Sequence, residues 1–63
     1  MRRSLESSKK VKDNIIASYI ADGYTLKSVT ERRNKFVIQM ENKKHYIIID
    51  VYKYYALHTT KVY

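Results

Sequence analysis

The chain has 63 residues and a mass of 7.6 kDa, with 13 Lys plus Arg against 6 Asp plus Glu, a formal net charge of +7 and a pI near 9.8. It has no Cys, no Pro, no Trp and one Gly, which excludes disulfide scaffolds and Cys-ligated zinc sites. A 44% hydrophobic content is too high for a disordered tail, so a single small α+β domain over residues 1–63 is expected, its core thin and residues 1–7 a flexible basic arm.

No run approaches the length of an apolar membrane span. Met1-Arg2-Arg3 mimics the start of a signal peptide, but Glu6, Lys9, Lys10 and Lys12 stand where its apolar stretch would be. The expected location is therefore cytoplasmic. Nine Lys, seven Ile, seven Tyr and three Asn make 26 of 63 residues, all with A/T-rich codons. That bias suggests a complete short gene of a phage, archaeal virus or other mobile element, and for a viral product the location becomes the host cell interior.

The first predicted element is a helix over Ser8–Asp22. Val11, Ile15, Ile16, Tyr19 and Ile20 fall on one arc of a 3.6-residue period. Ser7 or Ser8 suits the cap at its start and Gly23 the left-handed position at its end. Lys12 projects into the apolar arc, so either its stem lies along the core edge or the helix begins later. The opposite face, with Asn14, Ala17, Ser18 and Ala21, is small and uncharged. It reads as a plain solvent face or as a surface that another chain can approach closely.

After Gly23 the period changes to two. Tyr24–Thr30 is a predicted strand, joined through Arg32-Arg33-Asn34 to a hairpin whose arms hold Lys35–Met40 and His45–Val51. A hairpin loop of two or four residues sets Met40 opposite His45, Ile38 opposite Ile47 and Phe36 opposite Ile49. Gln39, Val37 and Lys35 then meet Tyr46, Ile48 and Asp50 on the other face. For the first strand, a three-residue loop with Asn34 left-handed turns Leu26, Ser28 and Thr30 inward and sets Val29 beside Val37; an even loop pushes Lys27 toward the core. The tyrosine-rich segment from Val51 onward suits a further strand slightly better than a short helix capped by Asp50. The expected architecture is one N-terminal helix packed on a three-stranded antiparallel sheet, α-β-β-β, with a C-terminal strand or short helix.

The second sheet face would carry Val29, Val37, Tyr46 and Ile48 as an apolar strip. It can be covered by the C-terminal segment, bind a second copy or a protein partner, or offer aromatic stacking to bases.

No pattern points to catalysis, to a metal, to a cofactor or to a small-molecule substrate. His45 reads as a packed or rim residue and His58 as surface; the acids are scattered singly, and one Gly cannot form a phosphate-cradling loop. The charge pattern is more informative. Residues 1–12 carry net +4, 13–31 net −2, 32–44 net +4 and the rest +1. Arg2, Arg3, Lys9, Lys10, Lys12, Arg32, Arg33 and Lys35 are the candidate contacts to a nucleic-acid backbone. Because successive strand turns lie at opposite ends of a sheet, the helix start can join only one of the 32–35 and 43–44 clusters. The leading expectation is a small basic non-enzymatic nucleic-acid-binding protein, with a homodimer as one form it can take. The alternative is a protein–protein module, such as a small viral inhibitor of a host factor, acting through the Val29, Val37, Tyr46, Ile48 strip.

Overall fold

A computed structural model describes residues 5–55 and 57–63. Helix α1 spans Leu5–Ala21, and strands β1 (Thr25–Glu31), β2 (Lys35–Glu41), β3 (Tyr46–Tyr52) and β4 (His58–Val62) follow in chain order. They form one four-stranded antiparallel sheet of order β1-β2-β3-β4. The class is α+β with an N-terminal helix, as the residue periods imply. The C-terminal segment resolves as a fourth strand.

Helix α1 starts three residues before the expected Ser8, so Leu5, Glu6 and Ser7 are helical and only residues 1–4 of the expected arm lie outside the described residues. Ser8 is not a cap. It is fully buried within the helix, and its hydroxyl donates to the Tyr52 carbonyl at 3.2 Å and to the Lys53 carbonyl. The helix end matches its sequence signal. Gly23 has φ +92°, its N–H donates to the Ile20 carbonyl, and the Tyr24 N–H donates to the Tyr19 carbonyl. This pair of bonds closes a Schellman turn, and the Tyr19 and Tyr24 rings meet edge to face at 5.2 Å across it.

The core consists of Phe36, Ile38 and Met40 from β2 and Ile47, Ile49 and Val51 from β3. Leu5, Val11, Ile15, Ile16 and Tyr19 of the helix pack on it, whereas Ile20 is exposed at the margin of the arc. The helix meets β1, β2 and β3 but does not reach β4.

Period-two alternation assigned the faces of β2 and β3 correctly, but the register sits two residues further along. Met40 pairs with Ile47, Ile38 with Ile49 and Phe36 with Val51. A shift of two keeps every side chain on its face. Its cause is Asn42, whose side-chain oxygen accepts from the Lys44 and His45 N–H groups at 2.8 and 2.7 Å while its own N–H donates to the His45 carbonyl. Lys43-Lys44 therefore becomes the tip, and His45 lies exposed in the turn instead of on the core edge.

The first hairpin departs further. The Arg32 N–H donates to the Lys35 carbonyl at 2.8 Å, leaving Arg33-Asn34 as a two-residue tip. Asn34 is not left-handed, since no non-Gly residue among those described has positive φ. An even connection would turn Lys27 inward, and a bulge between Leu26 and Ser28 removes that conflict. Leu26 pairs with Met40 on the helix side as expected. Ser28 and Thr30, expected inward, pair with Gln39 and Val37 on the opposite face, and Val29 pairs with Ile38, not Val37. Lys27 reaches Glu41 at 3.1 Å, and the Ser28 hydroxyl meets the Gln39 side-chain oxygen at 3.0 Å.

Ser8 ties the helix to the end of β3, so its loss leaves two carbonyls without that donor. Ser8→Ala should lower unfolding free energy by about 1–3 kcal/mol. Ser18→Ala, on the exposed side of the same helix, should change it by no more than about 0.5 kcal/mol. Urea denaturation followed by circular dichroism measures both.

Candidate nucleic-acid interface

The two hairpin tips, Arg33-Asn34 and Lys43-Lys44, close opposite ends of β2, about 20 Å apart for a seven-residue strand. The first half of α1 belongs to the Arg33-Asn34 end. Ser8 bonds to the Tyr52 and Lys53 carbonyls, and the Lys53 N–H in turn donates to the Asn34 carbonyl at 2.9 Å. The basic helix start and the Arg32-Arg33 turn, separate in sequence, therefore share one end of the molecule.

Glu31 lies among these groups. Its carboxylate accepts from Lys53 Nζ at 2.6 Å. That hydrogen bond and the Lys53 charge hold its pKa below the ordinary 4.5 against a smaller opposing effect of burial, and the charges of Lys9 and Lys12 lower it by the least. Lys53 itself is buried, its side chain 7% exposed, with Nζ 5.0 Å from the centre of the Phe36 ring. Lys12 Nζ stands 4.9 Å from the same ring centre and 3.4 Å from Asp13. Its stem lies along the core edge, the first of the two arrangements expected for it, and two ammonium groups thus share the Phe36 ring.

The eight expected contacts separate into three sets. Arg2 and Arg3 lie outside the described residues. Lys9, Lys10, Arg32 and Arg33 are exposed and make no ion pair among the described residues. Lys12 and Lys35 are partly buried and paired. Lys35 lies on the sheet face away from the helix, 3.4 Å from Asp50 and 5.8 Å from the centre of the Tyr52 ring. The expected Lys35–Asp50 pair forms, although across a diagonal, because the direct partner of Lys35 is Tyr52. Lys53 and Glu31 escaped the sequence reading. The signal for Lys53 was its phase, in step with Ile47, Ile49 and Val51.

The expected apolar strip is divided between faces. Val37, Tyr46 and Ile48 lie on the face away from the helix, while Val29 lies on the helix side. The C-terminal segment does not fold over the open face. As β4 it extends the sheet in plane, setting Lys61 beside Ile48 and the Tyr63 ring 6.1 Å from that of Tyr46.

Among the described residues no three His, Asp or Glu side chains cluster as metal ligands, no cavity opens, and no helix is long and apolar enough to cross a membrane. No protein-family model, curated protein or solved structure matches the chain.

The folded-state pKa of Glu31 lies below its unfolded value, so its ionised form stabilises the fold. That contribution is complete above the ordinary value of 4.5 and disappears as pH falls through the folded value. Wild type should be the more stable of the pair with Glu31→Gln at about pH 7, and the difference should shrink as pH is lowered below 4.5 and through the folded value. Thermal melts across that range read the difference, which is small because Glu31 is largely exposed.

Proposed function

We propose that the protein is a small, non-enzymatic nucleic-acid-binding protein whose basic end grips a phosphate backbone. The observation that carries this reading is the convergence of the first half of α1 with the Arg32-Arg33 turn around Glu31, whose carboxylate feels Lys9 and Lys12 while Lys53 binds it directly. Lys53 pairs with Glu31 and Lys12 with Asp13, which leaves Lys9, Lys10, Arg32 and Arg33 as exposed cations with no ion pair among the described residues. Guanidinium groups on a turn and ammonium groups on a helix suit phosphate oxygens, and each contact releases a condensed counterion. Arg2 and Arg3 precede this helix in sequence and lie outside the described residues.

A second reading is a protein–protein module. It draws support from the uncovered sheet face, where Val37 and Ile48 lie between Tyr46, Tyr52 and the Lys35–Asp50 pair. Aromatic and aliphatic groups ringed by charge are what a partner surface requires.

Titration of labelled duplex and single-stranded oligonucleotides at about 50 and 200 mM salt tests the first reading; affinity should fall by at least about tenfold between them. Arg32→Glu with Arg33→Glu should weaken binding by more than about tenfold at the lower salt and flatten the salt dependence by about two counterions. Lys43→Glu with Lys44→Glu, at the far end, should have the smaller effect. Equal losses from both pairs would indicate diffuse attraction to net charge. Absence of binding at low salt would remove this reading and favour the second. In that case Val37→Asp or Ile48→Asp should abolish partner capture while the arginine variants retain it.

A further inference from the structure

The two outer strands of the sheet are unlike. β1 carries a bulge at Lys27, and its two charged residues, Lys27 and Glu31, are tied to Glu41 and Lys53. Bulges and charges are the usual protection of an edge strand against further pairing. β4 has no bulge, and its one lysine, Lys61, lies off the strand centre and makes no ion pair among the described residues. It pairs with β3 in unbroken register and consists of His58, Thr59, Thr60, Lys61 and Val62, every one exposed. Of the eight large hydrophobic residues that are exposed among the described residues, five lie in or beside it: Tyr54, Tyr55, Leu57, Val62 and Tyr63.

The backbone phase of β4 follows from its end. Tyr63 and Tyr46 exchange both N–H···O bonds, and the Leu57 carbonyl accepts from the Tyr52 N–H. In an antiparallel ladder these bonds alternate, so Thr59 and Lys61 also direct their backbone groups to β3. His58, Thr60 and Val62 direct theirs outward, where no described strand lies.

We propose that β4 docks a second copy of this chain, edge to edge and antiparallel, across a two-fold axis at Thr60. The occupant follows from self-complementarity. With the axis at Thr60, His58 meets Val62, Thr59 meets Lys61 and Thr60 meets itself, so all three outward residues of each strand pair and no like charges oppose. An axis at Lys61 would set two ammonium groups face to face, and one at Thr59 would leave Val62 unpaired. Threonine pairs and mixed polar pairs are favourable across strands, whereas like charges are not. Sheet faces are conserved in this pairing, so both helices lie on one side. Because α1 stops short of β4, a groove over His58, Thr60 and Val62 separates them. The two open faces join into one eight-stranded surface, and the basic ends point in opposite directions. The contact is short, so association is weak and depends on concentration.

The test is the mass of the intact chain by sedimentation equilibrium from about 10 µM to about 1 mM at about 200 mM salt, with amide exchange followed by NMR over the same range. The mass should rise from 7.6 kDa toward twice that value, and the His58, Thr60 and Val62 amides should gain protection together. Thr60→Pro removes an outward N–H and leaves the β3 ladder intact, a placement an edge strand tolerates. It should remain monomeric throughout, with unchanged circular dichroism. Thr60→Lys should raise the dimer dissociation constant at least about fivefold. A wild-type chain monomeric at every concentration overturns the proposal. So does a dimer whose His58, Thr60 and Val62 amides stay unprotected, or one that both variants form with undiminished affinity. None of these results depends on nucleic-acid binding, which the oligonucleotide titration reads separately.

Discussion

One helix has to seal one face of a four-stranded sheet, and it is too narrow to do so. Among the described residues the six buried hydrophobic side chains come from the two central strands, and the helix adds its own apolar arc above them. A chain of this size has a net stability of only about 3–5 kcal/mol from its core, which makes each of those side chains a large fraction of the total. The outer strands lie beyond the shelter of the helix. They are exposed almost throughout, and the sheet keeps an uncovered face, two dissimilar edges and a basic end.

That economy also explains the arrangement of charge. At the end where α1 begins, the apolar core runs out into Lys12, Lys53 and Glu31. Lysine stems extend hydrophobic cover past the last aliphatic residue, with the Phe36 ring facing both ammonium groups. Burial of Lys53 is tolerable because its ammonium has a carboxylate partner and an aromatic face. The cations beyond this boundary, Lys9, Lys10, Arg32 and Arg33, are exposed and make no ion pair among the described residues, and they are the ones the proposed reading assigns to a polyanion.

Much of this was legible in the residues. The alternation of Phe36, Ile38 and Met40 with Lys35, Val37 and Gln39 identified the buried face of β2, and the same parity in β3 identified its partner. Gly23 marked the helix end because only glycine enters the left-handed region without strain. What escaped were features decided by hydrogen bonds whose partners are remote or unusual. The hairpin register depended on Asn42 capturing two N–H groups. The face of Val29 depended on a bulge, which resets parity in mid-strand and leaves no mark in hydrophobic alternation. Ser8 resembled a cap because a serine before an apolar arc usually is one; its acceptors lie more than 40 residues away in the chain.

The order of the strands in the sheet is their order in the chain, and this bears on how the molecule assembles. Every strand pairing closes a short loop at little entropic cost, so the meander is a topology of rapid, local zippering. The bonds from Ser8 to Tyr52 and Lys53 span 44 and 45 residues. Docking of the helix start is thus the closure of longest range, with the greatest loop entropy to overcome. Until it occurs, the face carrying Ile38, Met40 and Ile49 is bare. A newly made chain of this kind passes through an interval when its stickiest surface is also its most accessible, and the excess of positive charge along the strand turns then serves a second end, keeping unfinished molecules apart.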